Sequence, residues 1–141
     1  MSRERSRARS LALQALYQRE LADTELAELL GQFRTDPGMP KADGGYFEEL
    51  VRGVSNDPAT LDVQYGDFVD RPVPQLDPIE RSLLRMGTWE LAQRLDVPYR
   101  VVLNEYIELA KRFGGEAGHT YINAALDRVA RSLRKLETGA R

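Results

Sequence analysis

Four arginines near the start of the chain are the residues whose type and spacing most suggest a chemical role. Arg3, Arg5, Arg7 and Arg9 stand at every second position in the segment SRERSRARSLALQALYQREL. The segment also has the apolar spacing of an amphipathic helix, and cations at a helix N-terminus oppose the helix dipole. Because guanidinium groups bind phosphate oxygens, we expect these arginines to bind a polyanion. The alternative is that they belong to a charged, frayed chain end.

Positive charge is concentrated at the two ends of the sequence, although the net charge of the whole chain is -2. Residues 1–19 and residues 128–141 each have a net charge of +4, so residues 20–127 have a net charge of -10. If the two ends lie together in space, they form one basic patch. Such a patch is typical of proteins that bind nucleic acid, even at an acidic overall pI.

Residue types that support catalysis or metal binding are scarce. The chain has no cysteine and only one histidine, His119, so a two-histidine metal site within one chain is impossible. The segment FGGEAG lacks the ending of a phosphate-binding P-loop. Glu105 and Glu108, with Lys111 and Arg112 one turn further on, have the spacing of ordinary helix-surface ion pairs. We therefore predict a non-enzyme with no catalytic residues, no metal and no cofactor.

The sequence has no segment typical of a secreted or membrane protein. Its N-terminus lacks an apolar signal-peptide core, and no apolar run approaches the length of a membrane span. The absence of cysteine is compatible with a reducing compartment. We expect a cytoplasmic protein that does not enter the membrane.

Helical periodicity extends over most of the chain, and no strand-like alternation persists. The sequence predicts an all-α, compact bundle of about seven helices that forms a single domain over residues 1–141. The predicted helices span about 5–21, 24–33, 46–54, 57–69, 78–95, 97–113 and 117–136.

Several details of these helices are also predicted. Thr24 is a plausible N-cap for the second helix, and a glycine C-cap is expected to end the sixth helix at Phe113. The sixth helix is apolar on a wide arc, which favours a central position. In the seventh helix, one apolar stripe runs from Ile122 to Leu136.

The first helix has two distinct faces. Its apolar arc comprises Ala8, Leu11, Ala12, Ala15 and Leu16. Arg7, Gln14, Tyr17 and Gln18 lie on the opposite side. Tyrosine provides a stacking surface for unpaired bases of RNA, so Tyr17 is either a base contact or an edge of the core.

Long segments of the sequence resemble the NusB family of bacterial antitermination factors. RARSLALQALYQREL resembles the first helix of the family, and the segment from PIERSLLRMGTWEL to YINAALDRVA resembles its last three helices. The most specific pieces are VPYRVVLNEYIELAKRFG and YINAALD. The resemblance implies an all-α fold of seven helices and no catalysis.

The resemblance also implies partners. It implies binding to the boxA element of nascent single-stranded RNA, in a heterodimer with NusE, a ribosomal protein of the small subunit. That complex joins RNA polymerase with other Nus factors and suppresses premature termination, notably in ribosomal RNA operons. Glu80 is the best single candidate for a NusE contact. The RNA contacts of the family carry over to Arg5, Arg7, Arg9, Tyr17 and Tyr121.

Two positions depart from the pattern of the family. Relatives can carry acidic residues where this chain has Ala117 and Pro74. Because both places lie near the RNA surface of the family, fine RNA affinity and base preference are expected to differ here.

Two other functions compete with RNA binding as interpretations of the sequence. Some RNA cytosine methyltransferases carry a NusB-like domain, but this chain has neither the catalytic cysteine nor the α/β domain that such an enzyme needs. The other is a helical protein-interaction module that acts mainly as a homodimer, which is compatible with RNA binding because family members differ in self-association.

Overall fold

A computed structural model describes residues 2–115 and 118–140 of the chain. All regular secondary structure in these residues is helical, which confirms the predicted all-α fold. No helix in this part of the chain is both long and apolar enough to cross a membrane. The eight α-helices of the described residues are α1 (Arg3–Ala22), α2 (Leu26–Arg34), α3 (Gly44–Asn56), α4 (Pro58–Gly66), α5 (Pro78–Gln93), α6 (Tyr99–Phe113), α7 (Gly118–Leu133) and α8 (Lys135–Thr138).

The helices divide into two compact units, Met1–Asn56 and Asp57–Arg141. Each unit also contains one short 3₁₀ helix, Met39–Lys41 in the first and Val73–Gln75 in the second. The organisation of residues 1–141 as one functional domain stays a prediction.

In the first unit, α1 packs against α2 and α3. The side chain of Ser2 caps α1 by accepting a hydrogen bond from the backbone N–H of Arg5 at 3.1 Å. The predicted apolar arc of α1 is buried, and so is Leu13. The opposing surface of α3 contributes Phe47, Leu50 and Val51, whose helical spacing predicted this face.

The start of α2 differs from the prediction. The N-cap residue of α2 is Glu25, whose side chain makes no capping bond, so the prediction of Thr24 as N-cap is wrong. The backbone at Asp23 has the left-handed φ of 51°, which ends α1. The Nε of Arg19 donates to the carbonyl oxygen of Thr24 at 3.3 Å. The turn between the helices therefore depends on backbone conformation and on an arginine from α1.

In the second unit, α5, α6 and α7 pack against one another, and α4 packs against α5 and α7. Asp57 and Asp77 cap α4 and α5 with their side chains, each followed by a proline at the first helical position. The buried row of α6 is narrower than predicted, since Ile107 and Phe113 remain partly exposed. The buried residues of α6 are Val102, Leu103, Tyr106, Leu109 and Ala110.

Gly114 follows the last residue of α6, as the sequence predicted, but for a different reason. Its φ is -92°, outside the left-handed region that a glycine C-cap normally adopts. A Cβ at this position would lie 2.7 Å from the carbonyl oxygen of Ala110. Glycine is needed here because the chain passes too close to the preceding turn for any side chain.

Arg134 ends α7 earlier than predicted. Its side chain is buried, and its five N–H groups all donate hydrogen bonds, four of them to backbone carbonyls. The chain then forms the separate short helix α8, on which Leu136 is fully exposed, so the prediction of Leu136 in the apolar stripe is wrong. The acceptors of Arg134 are the carbonyl oxygens of Glu90, Leu91, Arg94 and Val97 and the carboxylate of Glu137.

The contact between α5 and α7 generates a prediction about glycine. A Cβ at Gly87 would lie 2.7 and 2.9 Å from the two methyl groups of the buried Leu126. We expect Gly87→Ala to lower the free energy of unfolding, because overpacking of this kind costs about 1–3 kcal/mol and outweighs the gain of about 1 kcal/mol in helix propensity. Urea unfolding measures the change.

Gly31 in α2 is the matched control, because an added Cβ there meets nothing within 4 Å. Gly31→Ala is expected to raise the free energy of unfolding by about 0.5–1 kcal/mol through helix propensity alone. A gain in stability from both substitutions would contradict the described packing of α5 against α7.

Candidate nucleic-acid interface

Two arginines near the start of α1 pack against one aromatic ring. Arg5 and Arg9 are four residues apart, so they lie on the same face of the helix. Both reach Tyr46 in the first turn of α3, with guanidinium carbons 4.6 and 5.2 Å from the ring centroid. Tyr46 itself is buried. Both guanidinium groups therefore make cation–π contacts with the same ring. These contacts stabilise both arginines and join α1 to α3.

Asp43, immediately before α3, holds this ring and one of the arginines. Its Oδ1 accepts a hydrogen bond from the backbone N–H of Tyr46 at 3.0 Å, and its own N–H donates to the carbonyl oxygen of Glu4 at 2.9 Å. Its Oδ2 lies 3.8 Å from the Nε of Arg5. The loop before α3 thus ties the first turn of α1 in place and partly neutralises Arg5.

The predicted RNA-binding arginines differ sharply in exposure. Arg7 is exposed and donates from Nη1 to the carbonyl oxygen of Lys41 at 3.3 Å. The side chain of Arg5 retains 33% of its exposure, whereas Arg9 retains only 2%. A phosphate can therefore reach Arg5 and Arg7 directly, but it reaches Arg9 only if Tyr46 or α1 moves.

Tyr17 is half-buried on α1, so the two interpretations of this residue both remain open. Its neighbour Gln18 is fixed by a pair of side-chain amide hydrogen bonds with Gln32 of α2, at 2.9 and 3.1 Å. A tyrosine ring provides a face on which an unpaired base can stack.

Tyr121, the predicted RNA contact of the second unit, lies in the first turn of α7 and is half-buried. The guanidinium of Arg71 lies 5.8 Å from its ring centroid. Arg71 is exposed and pairs with Asp70, with 3.0 Å between Nε and Oδ1. Burial raises the pKa of the Tyr121 hydroxyl.

Glu80, the predicted partner contact, lies in the first turn of α5 and belongs to the same charged cluster as Tyr121. Burial raises the pKa of its carboxyl group, and the carboxylate of Asp77 raises it further, while Arg71 acts in the opposite direction. Its Oε1 is 3.8 Å from the place where a Cβ of Gly118 would stand. In the second unit, Arg71 therefore interacts with both the predicted RNA contact and the predicted partner contact.

Only one of the two positions that depart from the family pattern lies within the described residues. Pro74 is exposed within the 3₁₀ helix Val73–Gln75, whereas Ala117 lies outside the described residues.

In residues 2–115 and 118–140, no group of three histidine, aspartate or glutamate side chains could hold a metal ion.

Sequence reasoning missed Asp43, Tyr46 and Arg71. The segment DGGYF contains a capping signal. Asp43 stands three residues before Tyr46 and accepts a hydrogen bond from its backbone N–H. The sequence has no comparable signal for the arginine–tyrosine contacts, because they join residues that are far apart in the chain.

The fold and these residues define the class of protein: an all-helical protein with a basic first helix, a feature that is compatible with nucleic-acid binding. The sequence model of the NusB family matches residues 6–131. The chain belongs to the NusB family, and the resemblance noted in the sequence is confirmed.

Similarity to individual members extends over nearly the whole chain. The Transcription antitermination protein NusB of Marinobacter nauticus is 47% identical over 138 residues, which cover 98% of this chain and 87% of the relative. The protein of the same name from Xanthomonas campestris is 49% identical over 136 residues, with 96% and 86% covered.

Solved structures of NusB proteins show the same fold. A T. maritima NusB structure is similar with a TM-score of 0.83 and 27% identity, over 99% of each chain. A crystal structure of antitermination factors NusB and NusE in complex with dsRNA is similar with a TM-score of 0.82 and 23% identity, over 94% of this chain and 99% of the other.

Because Arg9 packs against the Tyr46 ring, we expect these two residues to be energetically coupled. In a double-mutant cycle of Arg9→Met and Tyr46→Leu, we expect a coupling free energy of about 0.5–2 kcal/mol, because each single substitution already removes the contact. Urea unfolding of the four proteins measures it. The control cycle pairs Arg7→Met with Tyr46→Leu, since Arg7 donates to Lys41 instead. Equal coupling in both cycles would rule out a specific contact.

The raised pKa of Glu80 predicts how stability depends on pH. Since the folded state binds this proton more tightly than the unfolded state, ionisation of Glu80 lowers stability as the pH rises above 4.5, the ordinary pKa of a glutamate carboxyl group. We expect Glu80→Gln to raise the melting temperature at pH 7, and the gain to vanish below about pH 4.5, where wild-type Glu80 is also neutral. A gain that persists at low pH would show that the cause is not this charge.

Proposed function

We propose that this protein is a transcription antitermination factor that binds boxA-type single-stranded RNA of nascent transcripts together with NusE. With RNA polymerase and other Nus factors, it helps transcription to continue through terminators, notably in ribosomal RNA operons. It acts in the cytoplasm by binding rather than by catalysis, and residues 1–141 act as one RNA-binding domain. The observation that carries this proposal is the identity of 47–49% with proteins named for transcription antitermination, over nearly the whole chain.

In this proposal, α1 supplies the electrostatic contact with RNA. Arg5 and Arg7 are the cations that a phosphate can reach, and Arg5 is paired with Asp43 only at 3.8 Å. A partly exposed ion pair of this length contributes little stability, so a phosphate can compete with Asp43 for the guanidinium. Arg9 supports this contact indirectly, because its buried guanidinium packs against the Tyr46 ring.

The second unit supplies a stacking surface and the contact with the protein partner. Tyr121 offers an aromatic face to an unpaired base. Glu80 offers a carboxylate to NusE, and its raised pKa indicates that the ionised form lowers the stability of the free protein. A similar structure was solved with NusB, NusE and dsRNA together, which supports NusE and RNA as the classes of partner.

A homodimeric interaction module remains the second candidate. Leu95 and Leu136 are 68% and 102% exposed, and both line one groove in the second unit. Exposed apolar side chains in a common groove are typical of protein contacts. Sedimentation of the free protein measures its association, and a dimer that RNA and NusE together fail to dissociate would favour this candidate.

The test of the proposed function is a titration of boxA-type RNA at several salt concentrations, with and without NusE. We expect Arg5→Ala with Arg7→Ala to weaken binding and to lower the slope of log affinity against log salt by about 1.4, since each phosphate contact on a single strand contributes about 0.7. NusE is expected to tighten the binding of the wild-type protein.

Arg34→Ala with Arg52→Ala is the matched control. These exposed arginines also belong to the first unit, and both pair with Glu48. Removing them changes the formal charge by the same amount as the test variant, so a general electrostatic effect would appear in both. Equal losses in the two variants, or no loss in either, would contradict the assignment of Arg5 and Arg7.

A further inference from the structure

Two arginine–aromatic pairs join α7 to the connection between α4 and α5. Arg71 of the connection lies 5.8 Å from the ring centroid of Tyr121 on α7. In the second pair the residue types are reversed, because Arg128 of α7 lies 5.3 Å from the ring centroid of Phe68 in the connection. Each element therefore contributes one cation and one aromatic ring to the contact.

The two pairs lie along one face of α7. Tyr121 and Arg128 are seven residues apart, which places them on the same side of the helix and about 10 Å apart along its axis. Ala124 stands between them on this face, and it is exposed. We name this surface the α7 strip: Tyr121, Ala124 and Arg128 of α7 with Phe68 and Arg71 of the connection. The small side chain of Ala124 leaves space between the two pairs.

Arg128 differs from the other arginines at the C-terminal end of α7. Arg131 pairs with Asp127 at 2.9 Å, and Arg134 is buried with all its donors in use. Arg128 is exposed, and it forms no ion pair with a carboxylate of the residues that the structure describes. Its charge is therefore available to an anion.

We propose that Arg128 and Phe68 form a second subsite for single-stranded RNA, which continues the contact of Tyr121 along the α7 strip. An unpaired base stacks on the solvent-facing side of the Arg128 guanidinium, and the adjoining phosphate meets its charge. This inference rests on the proposed RNA-binding function but uses residues that the resemblance to the family does not assign.

The Phe68 ring explains why Arg128 suits this role. A free arginine side chain loses rotamer freedom when it binds, and contact with a ring already limits that freedom before RNA arrives. Arginine planes and aromatic rings both stack on bases without regard to sequence. An acidic peptide would gain from charge alone, and the alternation of rings and guanidinium groups favours RNA as the ligand.

The test compares three substitutions on α7 in titrations of a boxA-type RNA oligonucleotide, followed by fluorescence anisotropy at several salt concentrations. We expect Arg128→Gln to weaken binding at least about fivefold and to lower the salt slope by about 0.7. Arg128→Lys keeps the charge but loses the planar stacking surface, so it should restore the slope and recover only part of the affinity. Arg131→Gln, which removes an equal charge from the same helix, should bind like the wild-type protein.

A second variant tests the support beneath Arg128. Phe68→Leu keeps an apolar side chain but removes the ring, and we expect it to weaken RNA binding without changing the salt slope. Circular dichroism and melting temperature confirm that each variant remains folded. Wild-type affinity in Phe68→Leu would overturn the role of the ring.

The outcomes separate this inference from the proposed function. If the wild-type protein binds the RNA and Arg128→Gln binds equally well, the subsite is wrong while RNA binding by the chain stands. If the wild-type protein does not bind the RNA, the proposed function itself fails. Wild-type RNA affinity in Arg128→Lys would overturn base stacking, and a loss of NusE binding rather than RNA binding in Arg128→Gln would assign the α7 strip to the protein partner.

Discussion

The ring of Tyr46, which carries the guanidinium groups of Arg5 and Arg9, is the contact on which the basic helix depends. Cations in the first turns of a helix oppose its dipole, and burial of the Arg9 charge costs solvation free energy. The Tyr46 ring offsets part of both costs. Asp43 fixes Tyr46 in place by accepting a hydrogen bond from its backbone N–H. The arginines of α1 are therefore part of the packing of the first unit as well as a source of positive charge.

Exposure distinguishes three of the ways in which arginine is used in the residues that the structure describes. Arg134 is buried, and its full set of donors bonds the end of α5, the α5–α6 connection and Glu137 of α8. Arg9 is buried against a ring. Arg128 lies over a ring but remains exposed, which makes it a surface for stacking. Counting basic residues at the chain ends overstates the charge available to RNA, because some of these cations are already committed to the fold.

Much of the fold follows from local pattern. The apolar period of α1, the capping aspartates before α4 and α5, and the glycine after α6 are all visible in the sequence, and the structure confirms each position. The errors fall where distant residues decide the outcome. Thr24 does not cap α2, because the left-handed Asp23 and the side chain of Arg19 shape that turn. Leu136 is not buried, because α7 ends before Arg134, whose side chain bonds carbonyls at the end of α5 and in the α5–α6 connection. The burial of Arg9 depends on Tyr46, which no local pattern relates to it.

In the proposed function and the α7 subsite, Arg5 and Arg7 of the first unit and Tyr121 and Arg128 of the second unit contact RNA. Nuclear magnetic resonance of the labelled protein during titration with boxA-type RNA tests these contacts most directly. We expect shifts in the side-chain N–H signals of Arg5, Arg7 and Arg128 and in the ring signals of Tyr121, while the side chain of the buried Arg134 remains unchanged. Shifts confined to the groove lined by Leu95 and Leu136, with those arginines unaffected, would contradict these contacts.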